Sequence, residues 1–139
     1  GYSIEKVAPE KLMGECRVVD CTDRKEKVKE EDVKDFEEDI LIFKTRNSEL
    51  LSKKEFETDY VYVSEEACER IVELGYEAVG IDYLGIGKYG ETRPAHKTLL
   101  SDEVIVIEGV DLRDISPDRY EFVGLPMKIK GCDGSPVRA

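Results

Sequence analysis

The apolar positions of this chain fall into short runs separated by charged stretches, and two of these runs are typical of buried strands. Residues 39–44 and 77–82 each carry a continuous apolar run between charged ends. Between them, Ser64 is placed to cap a helix whose first turn is acidic, and Gly75 to end it. The predicted apolar face of this helix consists of Ala67, Cys68, Ile71, Val72 and Leu74. The strand–helix–strand order predicts an α/β domain.

The other elements follow weaker patterns. Before the first buried strand, the predicted elements are a helical turn at 9–13, a short strand at 17–20 and an amphipathic helix at 30–38. Residues 45–59 show no clear period. After the second buried strand, the predicted elements are a loop at 83–95, a strand at 103–107, a turn of helix at 112–115 and an interrupted strand at 122–129. Because no repeat or linker divides the sequence, we predict a single domain over residues 1–139.

Composition narrows the range of partners. The 139 residues are 38% charged with a net charge of −11, and such an acidic surface repels nucleic acid. No apolar run approaches a membrane span, and the first residues lack the pattern of a signal peptide, so a cytoplasmic protein is predicted. Glutamine is absent and Asn47 is the sole asparagine, a composition typical of heat-adapted proteins.

The four cysteines do not indicate a cysteine-based site. They form no CxxC pair, which disfavours a zinc ribbon. Cys16 and Cys68 have apolar neighbours and are predicted in the core, whereas Cys21 and Cys132 are better placed for exposure. We expect free thiols, and no catalytic cysteine, because the chain has a single histidine that is better suited to another role.

Residues 85–90 contain the pattern GxGxxG after a predicted strand. In dinucleotide-binding proteins a helix begins on these glycines, so that its amides meet a pyrophosphate. The residues that follow here, 91–94, predict no helix start, and no ribose-binding acid follows in a further βαβ unit. Binding of NAD or ATP is therefore disfavoured, and a flexible loop beside a site is the preferred interpretation.

The single histidine, His96, precedes Glu108 by twelve residues, with an apolar run at 104–107 between them. That run is typical of a strand buried on both faces, and an acid at its end needs a partner. A metal or other cation is one solution, and a lysine, arginine or backbone amide is another. Asp20 and Asp82 also end predicted strands, where either capping or a site role is open.

Several segments together resemble the cyclase family of metal-dependent hydrolases, whose best-known members are the bacterial kynurenine formamidases. The matching segments are 40–45 (ILIFKT, for the family's LIRT strand), 64–67 (SEEA, opening the next helix), 78–82 (AVGID), 95–100 (AHKTLL, for HxxLL), 105–108 (IVIE, for IxIE), 125–129 (LPMKI, for LPLKI) and 131–139 (GCDGSPVRA, for GxDGxPxRA). Their order and spacing hold from about residue 16 to 139.

This resemblance implies a swivelling β/β/α fold, a homo-oligomer, and a zinc or manganese ion that serves hydrolysis of a small-molecule amide. The best-known reaction of the family, in tryptophan catabolism, releases formate from N-formylkynurenine. The histidine and glutamate that complete the family's metal site correspond to His96 and Glu108, including their spacing.

The chain also departs from the family pattern. The family's first metal motif, HxGTHxD, and a further catalytic histidine are expected upstream of Gly1, and the chain itself contains neither. The family's SxD after GID is replaced by residues 85–87. We therefore expect the C-terminal part of the family domain, N-terminally incomplete, with the downstream part of a metal site. The alternative is a non-catalytic, truncated paralogue that serves as a binding or oligomerisation module.

Overall fold

The computed structural model describes residues 3–139, and a five-stranded sheet forms its centre. Within these residues the strands are β1 (Met13–Asp20), β2 (Lys27–Val28), β3 (Ile40–Lys44), β4 (Tyr62–Val63), β5 (Ala78–Ile81), β6 (Ile105–Ile107), β7 (Arg119–Val123), β8 (Leu125–Pro126) and β9 (Val137–Arg138). The central sheet has the order β6-β5-β3-β1-β7, in which only β7 runs antiparallel to its neighbour. The carboxyl ends of the four parallel strands therefore meet at one edge.

Two helices pack on one face of this sheet. They are α1 (Glu65–Glu73) and α2 (Arg93–Ser101), and 3-10 turns lie at Ile4–Lys6, Pro9–Leu12, Glu30–Asp32 and Arg46–Ser52. The Ser64 hydroxyl caps α1 by accepting a hydrogen bond from the Ala67 amide, and Gly75 ends the helix with a φ of 77°. This confirms the predicted capping residue and helix end.

The core occupies both faces of the sheet because side chains alternate along each strand. In β3, Leu41 and Phe43 face the helices, and Ile40 and Ile42 face the opposite cluster. That opposite cluster includes Leu12 from the 3-10 turn Pro9–Leu12, Leu112 from a loop and Phe122 from β7. The predicted α/β class and the two predicted buried strands are confirmed.

The predicted helix at 30–38 is wrong beyond its first turn. After the 3-10 turn at Glu30–Asp32 the chain has no regular structure through Asp39. The Tyr76 hydroxyl accepts a hydrogen bond from the Phe36 amide at 3.0 Å and donates to the Lys34 carbonyl. The Tyr76 hydroxyl, about forty positions away, thus forms hydrogen bonds with backbone groups that would have bonded within the helix.

The predicted loop at 83–95 is also wrong at its end, because α2 begins at Arg93. Pro94 lies in the first turn of this helix, where the missing amide hydrogen costs nothing and the fixed φ is favourable. His96 is therefore a helical residue.

Four other segments differ in detail from the predictions. The structured part of 45–59 is a 3-10 helix at Arg46–Ser52, and residues 112–115 form a hydrogen-bonded turn outside any helix. The last long strand begins at Arg119, three residues before the predicted start. β6 is an edge strand with Ile105 and Val106 only half-buried, so the prediction of burial on both faces is wrong.

Candidate metal centre

His96 lies in the first turns of α2 and is oriented by the backbone of the same helix. Its Nδ1 lies 2.9 Å from the carbonyl oxygen of Thr92, the residue that precedes the helix. Because a carbonyl oxygen only accepts hydrogen bonds, this contact is favourable when Nδ1 carries the proton. Nε2 then points away from the helix with its lone pair available.

Glu108 follows directly after β6 and is held in the same way, by a backbone group. Its Oε1 accepts a hydrogen bond from the Ile86 amide at 2.8 Å and lies 3.2 Å from His96 Nε2. Both side chains are 32% exposed, so the pair is accessible from solvent. The twelve-residue spacing brings the two predicted ligands into contact because α2 packs beside β6.

The distance between His96 Nε2 and Glu108 Oε1 requires a proton or a cation between the two atoms. A lone pair on Nε2 and a carboxylate oxygen repel each other unless a proton or a metal ion lies between them. The hydrogen bond to Glu108 raises the pKa of His96 above 6.5, against partial burial, which lowers it. The raised pKa follows from the carboxylate lying within hydrogen-bond distance of the ring nitrogen.

The chemistry of the donor atoms also fits a divalent metal. Imidazole nitrogen and carboxylate oxygen are common ligands of zinc and suit manganese as well. The hydrogen bond from Nδ1 to a backbone carbonyl is the usual outer support of a metal-bound histidine. Across residues 3–139, however, no group of three or more histidine, cysteine, aspartate or glutamate side chains is placed to hold a metal. The described part of the chain supplies two candidate ligands, His96 and Glu108.

Asp82, which ends the neighbouring strand β5, does not join this pair. It is fully buried and accepts four hydrogen bonds, from the amide and hydroxyl of Thr45 at 2.8 and 2.7 Å and from those of Ser48 at 3.2 and 2.7 Å. Burial raises the pKa of Asp82, and the bonds from Ser48 and Thr45 oppose that shift. Its carboxylate is committed to the fold.

Asp20, at the end of β1, lies in an environment that differs from those of Glu108 and Asp82. It is exposed and forms a turn by accepting hydrogen bonds from the Thr22 amide and hydroxyl at 2.9 and 2.6 Å. Those bonds lower the pKa of Asp20. Of the three predicted strand-end acids, Glu108 is the one that contacts His96.

A cavity of about 900 Å³ lies beside the pair. It follows the outer edge of β6 and is lined by His96, Glu108 and Ile105, by Leu100 of α2, and by the C-terminal segment 131–137. The walls are largely apolar, and the two ligand candidates lie among the polar groups that line it. Such a cavity has the size and character of a small-molecule site.

The four cysteines are free thiols, and Cys132 lies in the segment that lines the cavity. Cys16, Cys21 and Cys68 are buried and Cys132 is half-buried, so the predicted exposure of Cys21 is wrong. Burial raises the pKa of both Cys21 and Cys68 to about 12, which leaves almost no thiolate at neutral pH.

Among the described residues 3–139, no helix is both long and apolar enough to cross a membrane.

Sequence reasoning missed the backbone groups that orient the pair, the Thr92 carbonyl and the Ile86 amide. Backbone groups carry no residue-specific signal. The glycines on either side of Ile86 were the available sign that the chain approaches another segment closely there.

Comparison with known proteins gives a consistent picture. The "Cyclase" family model matches residues 1–88. Cyclase-like protein 3 of Oryza sativa subsp. japonica is 36% identical over 102 residues, which is 70% of this chain and 38% of that protein. The kynurenine formamidase of Salinibacter ruber is 29% identical over 143 aligned positions, covering 100% of this chain and 67% of that protein. The chain thus spans well under half the length of the rice cyclase-like protein.

Solved structures extend the match beyond residue 88. A potential metal-dependent hydrolase with cyclase activity superposes with a TM-score of 0.90 at 35% identity, over 99% of this chain and 69% of that one. A predicted metal-dependent hydrolase from Bacillus stearothermophilus gives 0.85 at 34% identity, over 99% and 67%. An isatin hydrolase, at 18% identity and a TM-score of 0.80, shares the fold. The predicted fold class is confirmed.

Proposed function

From the premise that this chain belongs to the cyclase family, we propose that it carries part of the active site of a metal-dependent amide hydrolase. The arylformamidase reaction, from N-formylkynurenine to kynurenine and formate, is the leading candidate, by similarity to kynurenine formamidases. The observation that carries the proposal is the facing pair of donor atoms, His96 Nε2 and Glu108 Oε1, at 3.2 Å.

In this proposal, His96 is a neutral ligand and Glu108 an anionic one. The Thr92 carbonyl keeps the proton of His96 on Nδ1, and the Ile86 amide fixes the carboxylate of Glu108. A zinc or manganese ion held by the pair would supply Lewis acidity toward an amide carbonyl and lower the pKa of a bound water. The remaining ligands come from polypeptide outside residues 3–139, and family resemblance favours a homo-oligomer.

The cavity beside the pair supports a small-molecule substrate. Its apolar walls, which include Ile105 and Leu100, suit the body of an aromatic or aliphatic amide. The ligand pair among its polar lining groups would face the scissile group.

Metal binding at the pair is testable without activity, because the chain contains one imidazole. We expect substoichiometric Mn²⁺, which is paramagnetic, to broaden the His96 ring signals in the NMR spectrum of the untagged protein. Glu108→Gln is expected to abolish the effect. The matched control is Glu103→Gln, which removes an exposed acid from the lining of the same cavity. Equal broadening in all three proteins would exclude the proposed site.

Hydrolysis is tested in the protein that contains the complete ligand set. There, Glu108→Gln is expected to lower formate release from N-formylkynurenine by at least roughly tenfold relative to Glu103→Gln. Unchanged release would contradict the proposed role of the pair. Release from other amides but not from N-formylkynurenine would retain the hydrolase and reject this substrate.

A further inference from the structure

The glycine loop, Gly85–Gly90, lies between β5 and α2, donates a hydrogen bond to Glu108, and packs against Thr92, whose carbonyl holds His96. We propose that Gly87 is a positioning residue for the metal centre. Its missing side chain allows the Thr92 carbonyl to hold His96, while the adjacent Ile86 amide holds Glu108. The inference rests on the proposed metal function and assigns a role to a motif that otherwise has none.

The buried part of the loop is fixed from several directions. The Ile86 amide donates to Glu108 Oε1 at 2.8 Å, and the Ile86 carbonyl accepts from the Val63 amide at 2.8 Å. The Gly87 carbonyl accepts from the Tyr60 hydroxyl at 2.7 Å. The loop lies beside the site as the sequence predicts, but this segment is buried and hydrogen-bonded, in contrast to the predicted flexible loop.

Gly87 lies directly against the backbone that orients His96. A Cβ atom at this position would lie 2.8 Å from both the Cα and the carbonyl oxygen of Thr92. Backbone atoms at that distance must shift, and the displaced oxygen is the one 2.9 Å from His96 Nδ1. A single added methyl group therefore disturbs the support of His96 directly, and that of Glu108 through the preceding residue, Ile86.

The same contacts explain the glycine pattern without a nucleotide. Gly85 lies where a Cβ atom would be 2.9 Å from the Tyr60 hydroxyl, so a side chain there would displace the hydroxyl that holds the Gly87 carbonyl. Gly90 has a φ of 78° and open space around it, so it serves the turn into α2. Two glycines permit close packing and the third permits a left-handed conformation.

The test compares Gly87→Ala with Gly90→Ala in the untagged chain. Both substitutions strain the loop, but only the first displaces Thr92. We expect Gly87→Ala to shift the His96 ring signals and to raise the Mn²⁺ concentration that half-broadens them by about tenfold. Gly90→Ala is expected to lower the melting temperature while leaving both readouts at the wild-type value. Equal readouts in the two variants would overturn the inference.

A milder pair of variants covers the case in which Gly87→Ala fails to fold. Tyr60→Phe removes the hydroxyl that holds the Gly87 carbonyl, and Tyr76→Phe removes an equally buried hydroxyl far from the pair in the fold. We expect the Mn²⁺ concentration that half-broadens the His96 ring signals to rise about threefold in Tyr60→Phe and to stay unchanged in Tyr76→Phe. The rise is smaller than for Gly87→Ala because Tyr60 acts on the loop and not on the Thr92 carbonyl itself. No difference between them would count against the inference.

The two proposals fail in distinguishable ways. If Mn²⁺ leaves the wild-type His96 signals sharp, the metal function is rejected, and the ring shift in metal-free protein decides the positioning role. A shift confined to Gly87→Ala then supports that role, and its absence rejects it. If wild type and Gly87→Ala respond alike to Mn²⁺ and have the same ring signals, only the positioning role is lost.

Discussion

Asp82 and Glu108 end adjacent parallel strands, yet the fold uses their carboxylates in opposite ways. Asp82 is fully buried and accepts four hydrogen bonds from Thr45 and Ser48. Glu108 accepts one backbone bond and directs the same oxygen toward His96. Sheet topology gathers acids at one edge. Whether such an acid is structural or available to a ligand depends on how many donors the protein itself supplies.

The largest expected loss of stability follows from removing the buried acid, Asp82. Asp82→Ala leaves two amides and two hydroxyls without their acceptor, so we expect a loss of about 3 kcal/mol in the free energy of unfolding. Denaturant unfolding measures it. The control is Asp20→Ala, an exposed strand-end acid, with an expected loss of about 1 kcal/mol or less. Equal losses would remove the distinction.

Ser48→Ala should have an intermediate effect. Its hydroxyl donates to Asp82 at 2.7 Å and accepts from the Leu112 amide at 3.3 Å, linking two loops in a buried position. We expect a loss of about 1.5 kcal/mol. Ser52→Ala, which removes an exposed hydroxyl that donates to the Glu49 carbonyl, is the control and should change stability by less than about 0.5 kcal/mol.

Glu108→Gln should lower the stability of the protein much less than Asp82→Ala. Because the pair is partly exposed, we expect the free energy of unfolding to change by less than about 1 kcal/mol. Denaturant unfolding at neutral pH, run beside Asp82→Ala, checks this. A loss as large as that of Asp82→Ala would make Glu108 a structural residue.

The smallest effect is a difference in titration between Asp82 and Asp20. Burial raises the pKa of Asp82 above 3.8, and the Thr22 bonds lower the pKa of Asp20 below 3.8. The contribution of Asp82 to stability therefore grows as pH falls through its folded pKa, whereas that of Asp20 is present above 3.8 and is lost as pH falls. Carboxyl-carbon NMR titration measures both midpoints, and midpoints in the opposite order would contradict the assignment.

The sequence predicted what local pattern determines. The apolar runs of β3 and β5 and the cap of α1 are local signals, and the interval from His96 to Glu108 was recognisable by resemblance. The start of α2 was missed because residues 91–94 were predicted to start no helix, although Pro94 suits a first turn.

Long-range contacts account for the remaining differences. Thr45 and Ser48 lie 37 and 34 positions from the acid they bind, and no spacing rule connects them to it. Tyr76 overrides the helical pattern around Phe36 from 40 positions away. Only the packed structure brings these groups together.

The position of β6 at the edge of the sheet has a consequence for solubility. An edge strand presents outward amides and carbonyls that can template pairing with another chain, and an apolar sequence increases that hazard. Here the edge is three residues long, and Glu103 and Glu108 lie on either side of the apolar run. A brief strand flanked by negative charge is a poor nucleus for a growing fibril, so the cavity wall can remain apolar without inviting uncontrolled self-association.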